Sequence, residues 1–206
     1  MVALQKPVAK EIFEYPEPIT YEDWLELPED GPRQELWDGE LVELTTPEEI
    51  HQDIEATLGY ELMTAARAIS GAKLFYEYGV RLSNSSVVAP DIEVFTGKAG
   101  GKRTRRAIEG PPDLIVEILS PTSRKRDLVN KAARYAENGV PEYWIVDPDR
   151  RAVVVNILRD QAYDRTIVYE GPIACQALDG AMIDISFLAT IGNDLPEEVE
   201  ESEDQE

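Results

Sequence analysis

The sequence predicts an α/β fold with a central mixed β-sheet flanked by α-helices. Segments rich in branched and aromatic residues alternate along the chain with segments whose apolar residues recur every three or four positions. The 206 residues are 43% apolar and 30% charged, which is typical of one globular domain. We expect an extended arm over 1–19, a single domain over 20–192 and an acidic, disordered tail over 193–206.

The charge is distributed unevenly. The chain has 41 acidic and 20 basic residues, a net charge of -21, and residues 194–206 hold eight acids and no base. Residues 98–135 reverse the sign, with ten bases against four acids. That stretch indicates either a footprint for nucleic acid or a solvated loop and helix face, and charge alone does not separate the two.

Composition also excludes several classes of protein. With one Cys and one His, the chain can form neither an intramolecular disulfide nor a zinc cluster of Cys and His. No apolar run reaches the ~18 residues of a membrane span, and the first residues lack the apolar stretch of a signal peptide. We therefore expect a cytoplasmic protein with no membrane contact.

The first elements after the arm are a short helix and a hairpin. The pattern over 21–27 predicts the helix. Asp38-Gly39 then lies between two arms that carry apolar residues within 34–44, which is a strong signal for a tight turn between antiparallel strands. The sequence therefore predicts an N-terminal β-hairpin.

A long helix is predicted next. Thr46, Pro47 and Glu49 have the spacing of a capping box, which places the start of the helix at Pro47. Apolar residues then follow at three- and four-residue steps until about residue 70: Ile54, Leu58, Leu62, Ala65 and Ile69. His51 lies on this stripe, where a lone His is more often a hydrogen-bonded core residue than a ligand, so it stays a candidate for either role.

The second half of the chain alternates strands with one helix. Branched and aromatic residues predict strands over 74–82, 87–95 and 113–120. A helix is predicted from about residue 121 to Asn138, where Gly139 takes the position after its last turn. Three further strands, the extra C-terminal strands of the fold, are predicted over 142–147, 152–158 and 165–169.

Charged residues interrupt three of these apolar patterns. In the strand over 113–120, both faces are apolar near the centre except at Glu117, which should therefore be buried with a partner such as a metal, an Arg or a Lys. Asp91 and Glu93 share one face of their strand. On the predicted helix, Lys131 interrupts a core-facing stripe, and it could pair with Asp127 one turn earlier or reach Glu117.

Several motifs together resemble the Uma family of predicted bacterial restriction endonucleases. They are Pro90-Asp91, the run Glu-Ile-Leu-Ser-Pro-Thr-Ser at 117–123, Lys131 with Tyr135, and Glu-Tyr-Trp-Ile-Val-Asp-Pro at 142–148. The resemblance covers roughly residues 20–190 in the order and spacing of the family. It implies the restriction-endonuclease-like fold of the PD-(D/E)xK superfamily.

The resemblance also implies a site and a substrate. Asp91 and Glu117 match the positions that bind a divalent metal, with the carbonyl of Ile118 as a further ligand. Oxygen ligands suit Mg²⁺ or Mn²⁺, and the implied substrate is DNA. His51 and Glu35 also match family positions and are candidates for further polar groups at the site.

One position departs from the superfamily motif. Leu119 stands where Glu-x-Lys requires a lysine, and we hypothesise that Lys131 replaces it as a catalytic residue beside Asp91, Glu117 and His51. The alternative is a catalytically degenerate fold that serves as a binding or interaction module. A homodimer is a possible assembly, with exposed apolar residues near Trp24 or Trp144 as its interface.

Overall fold

The computed structural model describes residues 18–28, 31–120 and 131–193. These residues form three α-helices: α1 (Tyr21–Leu25), α2 (Glu49–Ala66) and α3 (Ala132–Glu137). They also form fourteen strands: β1 (Gln34–Trp37), β2 (Glu40–Glu43), β3 (Lys73–Tyr76), β4 (Gly79–Ser83), β5 (Ser86–Val88), β6 (Ile92–Phe95), β7 (Lys102–Arg103), β8 (Ala107–Glu109), β9 (Leu114–Ile118), β10 (Glu142–Asp147), β11 (Ala152–Arg159), β12 (Ala162–Val168), β13 (Pro172–Cys175) and β14 (Ala181–Asp184).

Twelve of the strands form two mixed sheets. Sheet A has the order β2-β1-β5-β4-β8-β7, and sheet B has the order β12-β11-β10-β9-β6-β3. Each sheet contains one parallel pair, β4 with β8 in sheet A and β9 with β10 in sheet B. The predicted α/β class with a mixed sheet is therefore confirmed, as is the N-terminal hairpin of β1 and β2. Sheet A as a second large sheet was not predicted.

Strand β9 is covered on both faces, as its pattern predicts. Leu114, Val116 and Ile118 lie in one apolar cluster with residues of α2. Ile115 and Leu119 lie in a second cluster on the other face. Every residue of β9 is buried, which explains why an apolar run rather than a simple alternation marks this strand.

Two segments that were predicted as single strands are each divided between the sheets. The segment 74–82 breaks at Glu77, whose φ of +50° lies in the left-handed region. The segment 87–95 breaks near Pro90, which has no backbone N–H to donate to a ladder. The N–H of Glu77 donates to the carbonyl of Pro90 at 3.0 Å and to that of Asp91 at 3.3 Å, so both crossings between sheets lie at the same place.

The predicted start of α2 is wrong by two residues. Its N-cap is Glu48, which is extended at ψ 164° and makes no capping hydrogen bond with its side chain, so Thr46 and Glu49 form no capping box. The capping box of this fold is at α1 instead, between Thr20 and Asp23. α2 also ends earlier than predicted, at Ala66.

The end of the second predicted helix is confirmed, because α3 stops at Glu137 and Gly139 has a φ of +75°. Residues 121–130, including Asp127, lie outside the described residues, as do most of the predicted arm and tail. None of the described helices is long and apolar enough to cross a membrane.

Trp24 and Trp144, near which exposed apolar residues were expected to form an interface, are themselves buried. Trp144 is 0% exposed and donates through Nε1 to Glu142, and Trp24 is 8% exposed. Each indole fills a core rather than the surface: Trp144 lies in the cluster between α2 and sheet B, and Trp24 in the cluster beside β1.

Candidate active site

The residues singled out in the sequence converge on one cleft of about 1040 Å³. Asp91 lies where the chain crosses between the sheets, Glu117 lies near the end of β9, and His51 lies in the first turn of α2. Lys131 immediately precedes α3, and Glu35 comes from β1. All five side chains line the same cleft.

Asp91 is held by two groups from different elements. The backbone N–H of Ile118 donates to its Oδ2 at 2.6 Å, which ties the crossing segment to the end of β9. Its Oδ1 lies 3.2 Å from Nε2 of His51. These contacts hold the Asp91 carboxylate beside Glu117, the residue that directly precedes Ile118 in the sequence.

Glu117 is 5% exposed and has three hydrogen bonds from side chains. Nζ of Lys131 lies 2.9 Å from its Oε1 and 3.0 Å from its Oε2, and the hydroxyl of Tyr135 donates to Oε1 at 2.6 Å. Burial raises the pKa of Glu117 to about 8; the charge of Lys131 opposes this, whereas Asp91 and Glu35 reinforce it.

Lys131, and not Leu119, provides the cation beside Glu117. Leu119 is 3% exposed and belongs to the apolar cluster, so it contributes nothing polar to the site. Lys131 is also buried, and its Nζ lies 3.6 Å from Oε1 of Glu35. The structure therefore joins Lys131 to Glu117, as one of the two sequence interpretations expected; the Asp127 alternative involves a residue outside the described ones.

His51 is a buried imidazole next to carboxylates. Burial disfavours its protonated form, but the hydrogen bond and charge of Asp91, with the charges of Glu55 and Glu77, outweigh that effect and raise its pKa. Its Nδ1 has no hydrogen-bond partner among the described residues. The side chain thus acts as a partner of Asp91 at the edge of the cleft.

Two aromatic residues complete the site, and sequence reasoning gave neither of them a role. Tyr135 is fully buried and fixes Glu117; its place one turn after Lys131 is the signal that could have identified it. Nε1 of Trp37 donates to Oε2 of Glu35 at 2.7 Å, while the N–H of Ala89 donates to Oε1 at 2.9 Å. Glu35 is thereby held next to Lys131.

The donor set suits a hard divalent cation. Each carboxylate offers about four lone-pair sites, and the hydrogen bonds above use two on Asp91 and three on Glu117, so both can still bind a metal. In the described part of the chain, no group of three or more His, Cys, Asp or Glu side chains is placed to hold a metal alone. A cation here would depend on these two carboxylates, the carbonyl of Ile118 and water.

The cleft is strongly acidic beyond these residues. Its described lining has three basic residues, Arg33, Lys131 and Arg134, and nine acidic ones: Glu35, Asp38, Glu40, Glu43, Glu48, Glu77, Asp91, Glu117 and Glu137. Such a surface attracts cations and repels a polyanion until cations are bound.

Much of the basic stretch over 98–135 supports the fold rather than the cleft. Arg106 donates to the backbone carbonyls of Leu25 and Leu27, and its guanidinium lies over the ring of Trp24. Arg103 lies over the ring of Phe95 at 5.4 Å. Of the described bases in this stretch, Lys131 and Arg134 are the two that line the cleft.

Glu93 is a second buried carboxylate near the site. It is 0% exposed, and neither of its oxygens has a hydrogen-bond partner among the described residues. Burial raises its pKa well above the usual range, and the charges of Glu117 and Asp91 raise it further. The sequence placed Glu93 on the face of Asp91 but gave no sign that it would be fully enclosed.

Comparisons with known proteins are consistent with this geometry. The family model Uma2, described as "Putative restriction endonuclease", matches residues 21–186. A crystal structure titled as that of "a putative nuclease belonging to DUF820", from Anabaena variabilis, is similar, with a TM-score of 0.66 and 22% identity over 83% of this chain and 97% of that chain. At this identity the likeness shows the fold, and the restriction-endonuclease-like prediction is confirmed. No curated protein matches the chain.

Proposed function

The chain belongs to the Uma2 family, and from that premise we propose that it is a nuclease that uses Mg²⁺ or Mn²⁺ to hydrolyse phosphodiester bonds in DNA. The reaction would take place in the cleft that holds Asp91, Glu117 and Lys131. The observation that carries the proposal is the contact of Lys131 with both oxygens of Glu117, because this lysine would supply the cation that Leu119 removes from the superfamily motif.

The chemistry follows from the residue types. A divalent cation bound by Asp91 and Glu117 would neutralise the phosphate and lower the pKa of the attacking water. Lys131 would orient that water and offset negative charge that develops on the phosphate. His51 and Tyr135 act as positioning residues, since they contact Asp91 and Glu117 respectively. Glu35 positions Lys131.

The test is cleavage of linear, circular and single-stranded DNA in the presence of Mg²⁺ or Mn²⁺. We expect Asp91→Asn, Glu117→Gln and Lys131→Ala each to reduce the cleavage rate by about a hundredfold or more, because the first two remove a carboxylate that would bind the metal and the third removes the positive charge that would offset charge on the phosphate. A matched control is Asp164→Asn, which removes an exposed carboxylate on β12 and should leave the rate unchanged.

Circular dichroism would show whether each variant keeps the fold. Cleavage that survives Lys131→Ala in a folded protein would overturn the role given to that lysine. Cleavage that survives both carboxylate variants would place the nuclease activity outside this cleft.

The acidic lining favours a second candidate, a nuclease fold that has lost catalysis and serves as a binding or interaction module. A cleft lined by nine acidic and three basic residues repels the phosphates of DNA unless cations bind first. Calorimetric titration with Mg²⁺ or Mn²⁺ separates the two candidates. Binding that is lost in Glu117→Gln supports the nuclease, whereas a wild-type chain that binds neither metal and cleaves no DNA supports the module.

A further inference from the structure

The outward face of α2 differs from an ordinary solvated helix face. Its inward residues, among them Ile54, Leu58 and Leu62, are fully buried in the core. On the opposite face, Tyr60 is 66% exposed and Met63 is 38% exposed. Between Asp53 and Arg67, the exposed positions are all uncharged: Ala56, Tyr60, Met63 and Thr64. Glu55 and Glu61 lie in the same turns but are half-buried, so Tyr60 is flanked by uncharged residues among the exposed positions of this face, which is typical of an interaction surface.

The charges at the two ends of this surface are opposite and symmetrically placed. Asp53 lies seven residues before Tyr60, and Arg67 lies seven residues after it. Seven residues are about two turns of an α-helix, so all three side chains point in nearly the same direction. Both charged residues are exposed, and neither has an ion-pair partner among the described residues.

We propose that this face of α2 is a homodimer interface, in which the α2 helices of two copies pack antiparallel around a two-fold axis at Tyr60. Along the helix the acid comes first, Tyr60 lies in the middle and the base comes last. In an antiparallel copy this order is reversed, so the acid of each helix lies opposite the base of the other. Arg67 then faces Asp53 of the partner subunit, and this pair forms twice. The two Tyr60 rings meet at the axis, where Ala56 and Thr64 leave room beside them.

The arrangement has a consequence for the two clefts. His51 lies on the same helix, nine residues before Tyr60. At about 1.5 Å per residue, with helix axes about 9 Å apart, the two His51 residues would lie about 30 Å from each other. Each copy keeps its own complete set of cleft residues, so the interface does not depend on the proposed nuclease activity.

Sedimentation equilibrium of the full chain tests the interface directly. We expect the wild type to dimerise and Asp53→Arg or Arg67→Asp alone to weaken the dimer by at least about tenfold, because each places like charges opposite each other twice. The double variant D53R/R67D restores opposite charges and should recover dimerisation. All of these side chains are exposed, so the fold should be retained, as circular dichroism would show.

A crosslinking experiment locates the axis. Cys175 is buried, so a Tyr60→Cys variant carries one accessible thiol, and under oxidation it should form a disulfide between two copies. The matched control is Tyr169→Cys, which changes a residue that is 62% exposed just after β12 and should not crosslink. The proposal is overturned by a wild-type chain that is monomeric at about 100 µM, by a double variant that fails to recover dimerisation, or by equal crosslinking of both Cys variants.

Discussion

Glu93 and Glu117 are buried carboxylates of neighbouring strands with different surroundings. Glu117 accepts hydrogen bonds from Lys131 and Tyr135, which stabilise its charged form. Glu93 has no such donor among the described residues. Since an unpaired buried carboxylate costs several kcal/mol, roughly, Glu93 is best accommodated as the neutral acid.

A pH dependence of stability follows from Glu93. The pKa of Glu93 in the folded state lies above the unfolded value. Its contribution to the free energy of unfolding is therefore largest below the unfolded pKa of about 4.5 and is lost as the pH rises towards the folded pKa. In that window the wild-type free energy of unfolding should fall by up to about 1.4 kcal/mol per pH unit on account of this group. Glu93→Gln should remove that part of the slope.

Urea unfolding at pH 5, 6 and 7 measures the slope. The exposed Glu170→Gln variant is the control and should follow the wild type. Identical slopes for the wild type and Glu93→Gln would contradict a neutral Glu93.

Sequence pattern identifies a buried charge when the anomaly lies within one element. Glu117 interrupts an apolar strand and Lys131 interrupts an apolar helix stripe, and the structure joins the two. The enclosure of Glu93 depends instead on neighbours from other parts of the chain, among them Phe75 on β3 and Ile115 on β9. No local pattern contains that information, whereas Trp37 lies two residues from Glu35 on β1 and therefore on the same face of the strand.

At the level of elements, Asp113 organises the loop between β6 and β7. It is 2% exposed, and it accepts hydrogen bonds from the backbone N–H groups of Thr96, Gly97 and Ala99, the last two at 3.0 and 2.9 Å. The buried Asp113 carboxylate thus accepts the hydrogen bonds of three backbone amides that a helix or strand partner would accept in regular secondary structure.

Substitution of Asp113 should therefore destabilise the fold. Asp113→Ala leaves three backbone donors without their partner, which we expect to lower the free energy of unfolding by about 3 kcal/mol or more. Asp113→Asn should cost less, because one oxygen remains. Asp164→Asn, on an exposed strand, should change stability little, and equal stabilities of all three variants would contradict the anchoring role.

The errors in the two predicted strands over 74–82 and 87–95 have a common cause. Alternating apolar residues continue through 74–82 and 87–95, although the chain leaves one sheet for the other at Glu77 and near Pro90. Glu77 is not a residue that marks a left-handed turn, so the first break carries no local signal. Pro90 could have indicated the end of a strand. Its carbonyl accepts a hydrogen bond from the backbone N–H of Glu77, which explains why the two breaks coincide.

For the whole molecule, charge limits how the cleft can meet DNA. The net charge is -21, and the cleft is lined mainly by acids. Residues 194–206 add eight negative charges without a base. An acidic segment competes with phosphate for the same basic groups and weakens binding through long-range repulsion.

Deletion of residues 194–206 should therefore tighten DNA binding several-fold at low salt, with a smaller effect at high salt where charges are screened. Fluorescence anisotropy with labelled duplex DNA measures the change, with Ca²⁺ in place of Mg²⁺ to slow cleavage. A control chain with Ser and Gly in place of the eight acids keeps the length and should behave like the deletion. Unchanged affinity in both would contradict an inhibitory tail.

The order in which the strands appear along the chain determines when the cleft can be completed during synthesis. All six strands of sheet A lie before residue 110, whereas sheet B needs strands up to residue 168. β9 pairs with β10 only after a connection of more than twenty residues has been made, and such distant contacts form slowly. A nascent chain can therefore complete one sheet while Glu117 still lacks its lysine, so the assembled cleft comes late in biosynthesis.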